Sequence, residues 1–259
     1  MMRVRFFGDF AMHACDRPVD TLRGRTSSLF QFLLLNRGQT VRRERLHEVL
    51  WPGREWSSTD SSLKVAVHAL RRALRTTADD GAELPVEIAG QDHGYALHAD
   101  DLWVDVDEFE TCMSEGQVAE SAGDDDAASR AYHRAVDLYR GDLLGADLAD
   151  WIVPQREYNR ALVLYALGWL RADALRRGRH AEVITLCRRV IGIDPYHEEM
   201  YQTLMLVHGR RGELGQVRNW HRLCVSKLRD DLDVAPTATT RRIYHRAVRG
   251  ELREPVLTG

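Results

Sequence analysis

The sequence lacks a long hydrophobic run. A membrane-spanning helix needs about 20 consecutive apolar residues, and the longest apolar runs of this chain are far shorter. The opening MMRVRFFGDFAMHACD also lacks the apolar segment of a signal peptide, because Gly8 and Asp9 interrupt it. We therefore expect no membrane contact and a cytoplasmic location.

Cysteine is scarce, and the spacing of the few that occur excludes the usual cysteine-based sites. The four residues are far apart and form no CxxC pair; they are Cys15, Cys112, Cys187 and Cys224. Neither a disulfide framework nor a zinc site has this spacing. We expect buried thiols in a reducing compartment, and the sequence predicts no metal site and no cofactor.

Common catalytic motifs are also missing. His197-Glu198-Glu199 lacks the second histidine of H-E-x-x-H. No G-x-S-x-G elbow occurs, and no G-x-x-x-x-G-K-[ST] phosphate loop occurs. The carboxylates at 124–126 and at 230–231 lie beside predicted helix ends, where acidic side chains act as solvated caps. The sequence therefore predicts no catalytic residue and a protein that is not an enzyme.

The composition is that of an ordinary globular chain with one or two domains. The chain has 259 residues, of which 44% are hydrophobic and 29% charged. The formal net charge of −3 hides an asymmetry, since residues 1–95 have 14 Lys and Arg against 12 Asp and Glu. An anionic partner would fit the first part better, but this excess is too small to identify one.

The most informative stretch is SSTDSSLKVAVHALRRALR, residues 57–75. At 100° per residue, one narrow stripe of this helix is apolar and consists of Leu63, Val67, Leu70 and Leu74. The opposite arc is cationic and consists of Lys64, His68, Arg71, Arg72 and Arg75. Asp60, Ser61 and Ser62 precede the helix and can cap it. Such a helix fits the major groove of DNA, although a solvated surface helix has the same pattern.

The elements on either side favour the DNA interpretation. Two short strands, at 4–7 and 11–14, and an edge segment around Pro18 precede helices at 27–36 and 42–50. Strands at 85–88 and 95–97 flank the polar turn 89–94 and form a hairpin after the cationic helix. Strands, two helices, a cationic helix and a hairpin together predict a winged helix-turn-helix.

This arrangement assigns a role to each DNA-contacting candidate. Lys64 and His68 lie at the start and centre of the cationic arc and can meet base edges. The remaining candidates serve as phosphate or groove contacts at the helix starts, the cationic arc and the hairpin; they are Arg42, Arg43, Ser61, Ser62, Arg71, Arg72, Arg75 and His93. Tyr95 fits the core and the wing equally well.

Residues 99–259 are predicted to form a second, all-helical domain. Five acidic residues between 100 and 108 form its junction with the winged domain of residues 1–98. Predicted helices cover 106–122, 127–139 and 151–177. Gly178 and Gly212 then begin similar segments 34 residues apart, which is the tetratricopeptide period, although unrelated helices could show this spacing by chance. The predicted fold class is mostly α, with a winged helix-turn-helix followed by tetratricopeptide-like helices.

Several motifs resemble one known family. RVRFFGDF, SSLFQFLLLNRGQTVRRERLHEVLWP, SSLKVAVHALRRALR and GYAL resemble the OmpR/PhoB-type winged helix of the Streptomyces antibiotic regulatory protein (SARP) family. The helical half resembles the bacterial transcriptional activation domain of that family. The loop 53–56, Lys64 and His68 depart from the family pattern, so the operator cannot be inferred from relatives. The NTPase module of larger relatives is expected to be absent.

The resemblance implies a nucleoid-associated transcriptional activator of antibiotic biosynthesis. Such proteins bind heptameric direct repeats in promoter DNA as side-by-side homodimers and recruit RNA polymerase, including its sigma subunit. The alternative is a tetratricopeptide-type interaction adaptor whose winged domain binds protein. A gel shift at rising salt distinguishes the two, because DNA affinity falls steeply with salt. Control by a small ligand or by phosphorylation stays open.

Overall fold

The computed structural model describes residues 1–14, 17–19, 22–57, 61–76, 86–145, 147 and 149–252. The chain forms two compact units. The first contains residues 1–110 and 138–157, and the second contains residues 111–137 and the chain from 158 onward. The first unit therefore extends past the predicted boundary at residue 98 and takes in a later segment of the chain.

The first unit contains two small sheets and three helices. Its strands are β1 (Met2–Arg5), β2 (Ala11–Ala14), β3 (Arg17–Pro18), β4 (Val41–Arg42), β5 (Val86–Gln91), β6 (Gly94–Ala99) and β7 (Leu102–Val104). Its helices are α1 (Gly24–Leu35), α2 (Arg43–Leu50) and α3 (Ser62–Thr76). One sheet has the order β3-β2-β1-β7, and the other has the order β4-β6-β5.

Asp105, one of the five acidic residues of the predicted junction, lies in the core of the first unit, whereas Asp100 and Asp101 are exposed. Strand β7 pairs in parallel with β1 and was not predicted. The Asp105 side chain follows it and is 2% exposed. Its two carboxylate oxygens accept the backbone N–H groups of Phe6 and Phe7 at 2.8 and 3.0 Å. Burial raises the pKa of Asp105, and these N–H donors oppose the rise.

Helix α3 packs its predicted apolar stripe into the first unit. Leu63, Val67, Leu70 and Leu74 are all buried, and α1 is the helix in most extensive contact with α3. The stripe is confirmed because leucine and valine at a 3–4 residue spacing share one helix face. The helix begins at Ser62, which was predicted to precede it. Asp60, a predicted cap, lies outside the described residues.

The predicted hairpin is confirmed, with longer strands and a tighter turn. Strands β5 and β6 pair antiparallel from Val86 opposite Ala99 to Gln91 opposite Gly94. The turn is therefore reduced to Asp92 and His93. A Cβ on Gly94 would lie 1.9 Å from the backbone oxygen of Val41 in the neighbouring strand β4. Glycine is thus required where β4 and β6 approach. Pro85 lies outside the described residues.

The helices that follow β7 repeat one turn geometry. They are α4 (Asp105–Ser121), α5 (Asp125–Leu138), α6 (Val153–Arg176), α7 (His180–Ile193), α8 (Glu198–Arg210), α9 (Leu214–Leu232) and α10 (Ala238–Val248). Helices α4, α6 and α8 each end two residues before a glycine of positive φ, at Gly123, Gly178 and Gly212. In each case the N–H after the glycine donates to the carbonyl five residues earlier. This is the Schellman turn, and it explains why a glycine follows each of these helices.

These observations confirm the predicted fold class, a winged helix followed by an all-helical part. The three cysteines among the described residues, Cys112, Cys187 and Cys224, are buried free thiols, and Cys15 lies outside that part of the chain. Burial raises the pKa of Cys187 and of Cys224 to about 12. None of the described helices has the length and hydropathy of a membrane-spanning segment.

Candidate nucleic-acid interface

Helix α3 presents a continuous outward face. At 100° per residue its exposed positions span about 140° of the helix; they are Ser61, Lys64, Val65, His68, Ala69, Arg72 and Arg75. The segment Ser62–Thr76 contains no acidic residue, so its outward face is cationic along its whole length. Four of the five predicted cationic residues lie on this face. Ser62 is half-buried at the first turn.

Arg71 differs from the other cationic residues of α3. Its side chain is half-buried, and both Nε and Nη2 donate to the carbonyl oxygen of Ile88 in β5, at 3.1 and 2.6 Å. A guanidinium can donate two hydrogen bonds in one plane, so this side chain fixes the hairpin against the helix. The cationic pattern of α3 predicts a phosphate contact for Arg71, and the link to Ile88 has no signal in that pattern.

A second link connects the hairpin to helix α2. The backbone N–H of Arg43 donates to the carbonyl of His93 at 3.1 Å, and Arg43 Nη2 donates to the carbonyl of Gln91 at 3.2 Å. Arg42, the preceding residue, is exposed and makes no side-chain cap. The start of α2 therefore lies beside the hairpin turn, where the exposed Arg42 side chain could reach a phosphate oxygen.

The structure brings three predicted site residues from three elements around one cleft. Arg43 of α2, Lys64 of α3 and His93 of the hairpin turn line a cavity of about 320 Å³, together with Glu44, Trp56, Leu63 and Tyr95. Tyr95 is buried, which assigns it to the core. Helix α2, helix α3 and the wing therefore form a single surface in the first unit.

Val65 is a residue that the sequence analysis did not identify. Its side chain is 65% exposed on the outward face of α3, one residue after Lys64. An apolar side chain in that position can contact the methyl group of thymine in the major groove. The sequence does indicate that Val65 is exposed. On a helix of 100° per residue, Val65 lies about 160° around the axis from Leu63 of the apolar stripe and therefore on the opposite side.

Among the described residues no group of three or more His, Cys, Asp or Glu side chains could hold a metal ion. The cationic face of α3 beside the hairpin is an arrangement that can contact an extended anion.

Comparisons with known proteins agree with this geometry. The family model "Bacterial transcriptional activator domain" matches residues 104–248, and "Transcriptional regulatory protein, C terminal" matches residues 19–95. The chain belongs to the bacterial transcriptional activator domain family. The two models in this order confirm the predicted SARP-type architecture, so the protein is a SARP-type transcriptional activator with a DNA-binding domain.

Individual relatives support the family assignment over nearly the whole chain. Regulatory protein DnrI of Streptomyces peucetius is 26% identical over 257 residues, covering 96% of this chain and 93% of that protein. Transcriptional regulatory protein MoaR1 of Mycobacterium tuberculosis is 28% identical over 228 residues, covering 86% and 71%.

A solved structure has the same fold. Mycobacterium tuberculosis EmbR, in complex with a low-affinity phosphopeptide, superposes with a TM-score of 0.69 at 23% identity. The similarity covers 96% of this chain and 65% of that one. At this identity the likeness concerns the fold.

Proposed function

We propose that this family member activates an antibiotic or other secondary-metabolite gene cluster by binding direct repeats in its promoters. The observation that carries the proposal is the outward cationic face of α3, which has no acidic residue and lies beside the hairpin. A rigid helix of this kind enters the major groove while the wing meets the neighbouring backbone. The SARP resemblance supports the pathway class and the repeat architecture.

The outward residues divide into two roles. Lys64, His68 and Val65 lie on the outward face from the first turn to the middle of α3 and read base edges. Ser61, Ser62, Arg72 and Arg75 hold phosphates along the helix, and Arg42, Arg43 and His93 hold the backbone at the wing. Arg71 is a positioning residue, since it acts on the wing through Ile88.

The protein acts as a homodimer on DNA and recruits RNA polymerase, including its sigma subunit. In this proposal it is a nucleoid-associated, cytoplasmic protein that works without a cofactor. A direct repeat places two copies in the same orientation, so the contact between copies joins two different surfaces.

A binding-site selection with the full chain and random duplexes tests the proposal. The expected result is a motif present as two copies in the same orientation, and the same motif in footprints of promoters beside the gene. Purified RNA polymerase holoenzyme should then transcribe such a promoter faster when the protein is added. Selection of no motif, with binding to a protein partner that is insensitive to salt, would favour the interaction adaptor instead.

A further inference from the structure

Positive charge in the helical part of the chain is concentrated in its last two helices. Residues 99–213 contain 13 Lys and Arg against 22 Asp and Glu, whereas residues 214–252 contain eight against four. Helices α9 and α10 are thus a cationic region within an otherwise acidic part of the chain. Nothing in the interface at α3 requires this charge.

Helix α10 has an outward side rich in cationic residues. Its sequence, Ala238–Val248, contains no acidic residue. Thr240 and Ala247 are buried. The opposite side is exposed and consists of Ala238, Thr239, Arg241, Arg242, His245 and Arg246. Arg249 is exposed directly after the helix. The packing of α10 therefore directs its cationic side chains to solvent.

Helix α9 continues this cationic side. Arg218, Arg222 and Arg229 are exposed and lie within an arc of about 40°, spread over about 16 Å of helix length. His221 lies beside them in the sequence, and its ring stacks on Tyr244 of α10 with centroids 3.8 Å apart. The arginine stripe of α9 therefore borders α10. Burial and the charge of the neighbouring His245 lower the pKa of His221.

We name the combined area the α9–α10 cationic surface, and it consists of Arg218, Arg222, Arg229, Arg241, Arg242, Arg246 and Arg249. The acidic residues nearby are mostly engaged elsewhere. Asp230 accepts a hydrogen bond from Ser226, and Asp231 pairs with Lys227. Asp233 is the C-cap of α9, where its backbone N–H donates to the carbonyl of Arg229, and its side chain is exposed beyond the end of the helix. Glu251 is the carboxylate that reaches the surface, with Arg246 and Arg249 at 3.7 and 3.8 Å.

The chemistry of the surface favours nucleic acid over protein. Interfaces between proteins are centred on buried aromatic or aliphatic anchors. None of the residues of α10, all of which are described, is an exposed large hydrophobic residue, and in α9 only Leu223 and Leu232 are exposed ones, at 40% and 48%. Arginine guanidinium groups match phosphate oxygens in a planar, two-donor geometry. A row of phosphates can occupy such an extended surface, in which arginines outnumber the exposed apolar residues.

We propose that the α9–α10 cationic surface binds the phosphate backbone of double-stranded DNA without reading its sequence. The inference rests on the proposed function, because the operator bound by α3 brings flanking DNA to a high effective concentration. The surface then lengthens the contact along the promoter. Each phosphate it neutralises releases counterions and steepens the salt dependence of binding.

The test compares two matched double variants of the full chain. Arg218→Gln with Arg241→Gln removes two charges from the surface, and Arg130→Gln with Arg188→Gln removes two exposed charges outside it. Affinity is measured by fluorescence anisotropy at several salt concentrations. The probes are a duplex of about 20 bp that contains only the selected operator and one of about 60 bp with random flanks, long enough to add phosphate contacts.

The first double variant should lower the salt slope on the long duplex by nearly two units, at about 0.9 per phosphate, and leave the short duplex unaffected. The control should match the wild type on both probes, and circular dichroism should show both variants folded. If folding is lost, the single variant Arg241→Gln should lower the slope by about one unit.

An unchanged slope on the long duplex would overturn the proposal. Unchanged DNA binding with reduced transcription would also overturn it and would assign the surface to an acidic protein partner. If the wild type selects no operator, the proposed function fails. The salt slope is then measured on random duplexes of about 60 bp. If Arg218→Gln with Arg241→Gln has the same slope there as Arg130→Gln with Arg188→Gln, the phosphate contact is contradicted independently of the proposed function.

Discussion

At the scale of single residues, one buried carboxylate joins distant parts of the first unit. Asp105 follows β7 and accepts the N–H groups of Phe6 and Phe7, almost 100 residues earlier in the chain. Both N–H groups would otherwise be left without an acceptor in a buried place. Unsatisfied buried donors carry the full cost of their lost hydration.

Asp105→Asn should therefore destabilise the protein. An amide has one oxygen that accepts, so one of the two N–H groups faces the NH₂ group instead. We expect the free energy of unfolding, measured by urea denaturation, to fall by about 1–3 kcal/mol. The exposed neighbour provides the control, since Asp100→Asn should change stability by less than about 0.5 kcal/mol. Equal effects at the two positions would contradict the role given to Asp105.

At the scale of elements, the hairpin depends on two close contacts. Gly94 lies where β6 crosses β4, and a Cβ there would meet the Val41 carbonyl oxygen at 1.9 Å. The clash is with backbone on both sides, so no side chain can move to relieve it. Arg71 fixes the other strand of the hairpin through Ile88.

Gly94→Ala should destabilise the first unit by about 3 kcal/mol, the upper part of the range for overpacking. Gly90→Ala is the matched control in the same hairpin, because the nearest atom to its added Cβ is the Arg71 side chain at 4.0 Å. Thermal denaturation of the two variants gives the comparison. A Gly94→Ala protein as stable as Gly90→Ala would show that β4 and β6 are not in this register.

Arg71→Met should loosen the hairpin and leave α3 intact. The Ile88 carbonyl then loses both guanidinium donors, and backbone amides of β5 should exchange faster by about one order of magnitude, in line with about 1.4 kcal/mol for a charged hydrogen bond. Hydrogen exchange followed by mass spectrometry measures this directly. In the control variant Arg75→Met, from the exposed end of α3, the β5 amides should exchange at the wild-type rate.

The sequence predicted those features that depend on local periodicity. The apolar stripe of α3 predicted which side of the helix is buried, and its residues are Leu63, Val67, Leu70 and Leu74. The remaining positions then predicted the outward face. Glycine at 178 and 212 predicted the helix turns, since a left-handed residue is needed after each helix. In both cases the residues that carry the pattern belong to the same helix or turn whose structure they predict.

The features that were missed depend on partners distant in sequence. Strand β7 has three residues, and its parallel pairing with β1 leaves no local pattern. The burial of Asp105 has no local signal in the sequence because its donors lie at residues 6 and 7. Arg71 could not be separated from Arg72 because its acceptor, Ile88, is 17 residues away. Such contacts follow from tertiary packing and not from periodicity.

At the scale of the whole molecule, a net charge of −3 conceals separate cationic surfaces on an acidic chain. One is the outward face of α3 in the first unit, and the other is the α9–α10 cationic surface in the second. Segregation of charge allows an acidic protein to approach DNA, because the field near each surface depends on its local groups. The first surface is assigned to base recognition and the second to backbone contact.

The central claim is that the outward face of α3 reads base sequence, and a binding-site selection on Lys64→Ala tests it most directly. The variant should relax base preference at one operator position by about 1–3 kcal/mol, whereas Arg72→Ala should keep the wild-type motif and reduce the salt slope by about one unit. A Lys64→Ala protein that selects the wild-type motif with unchanged base preference at every position would contradict the account.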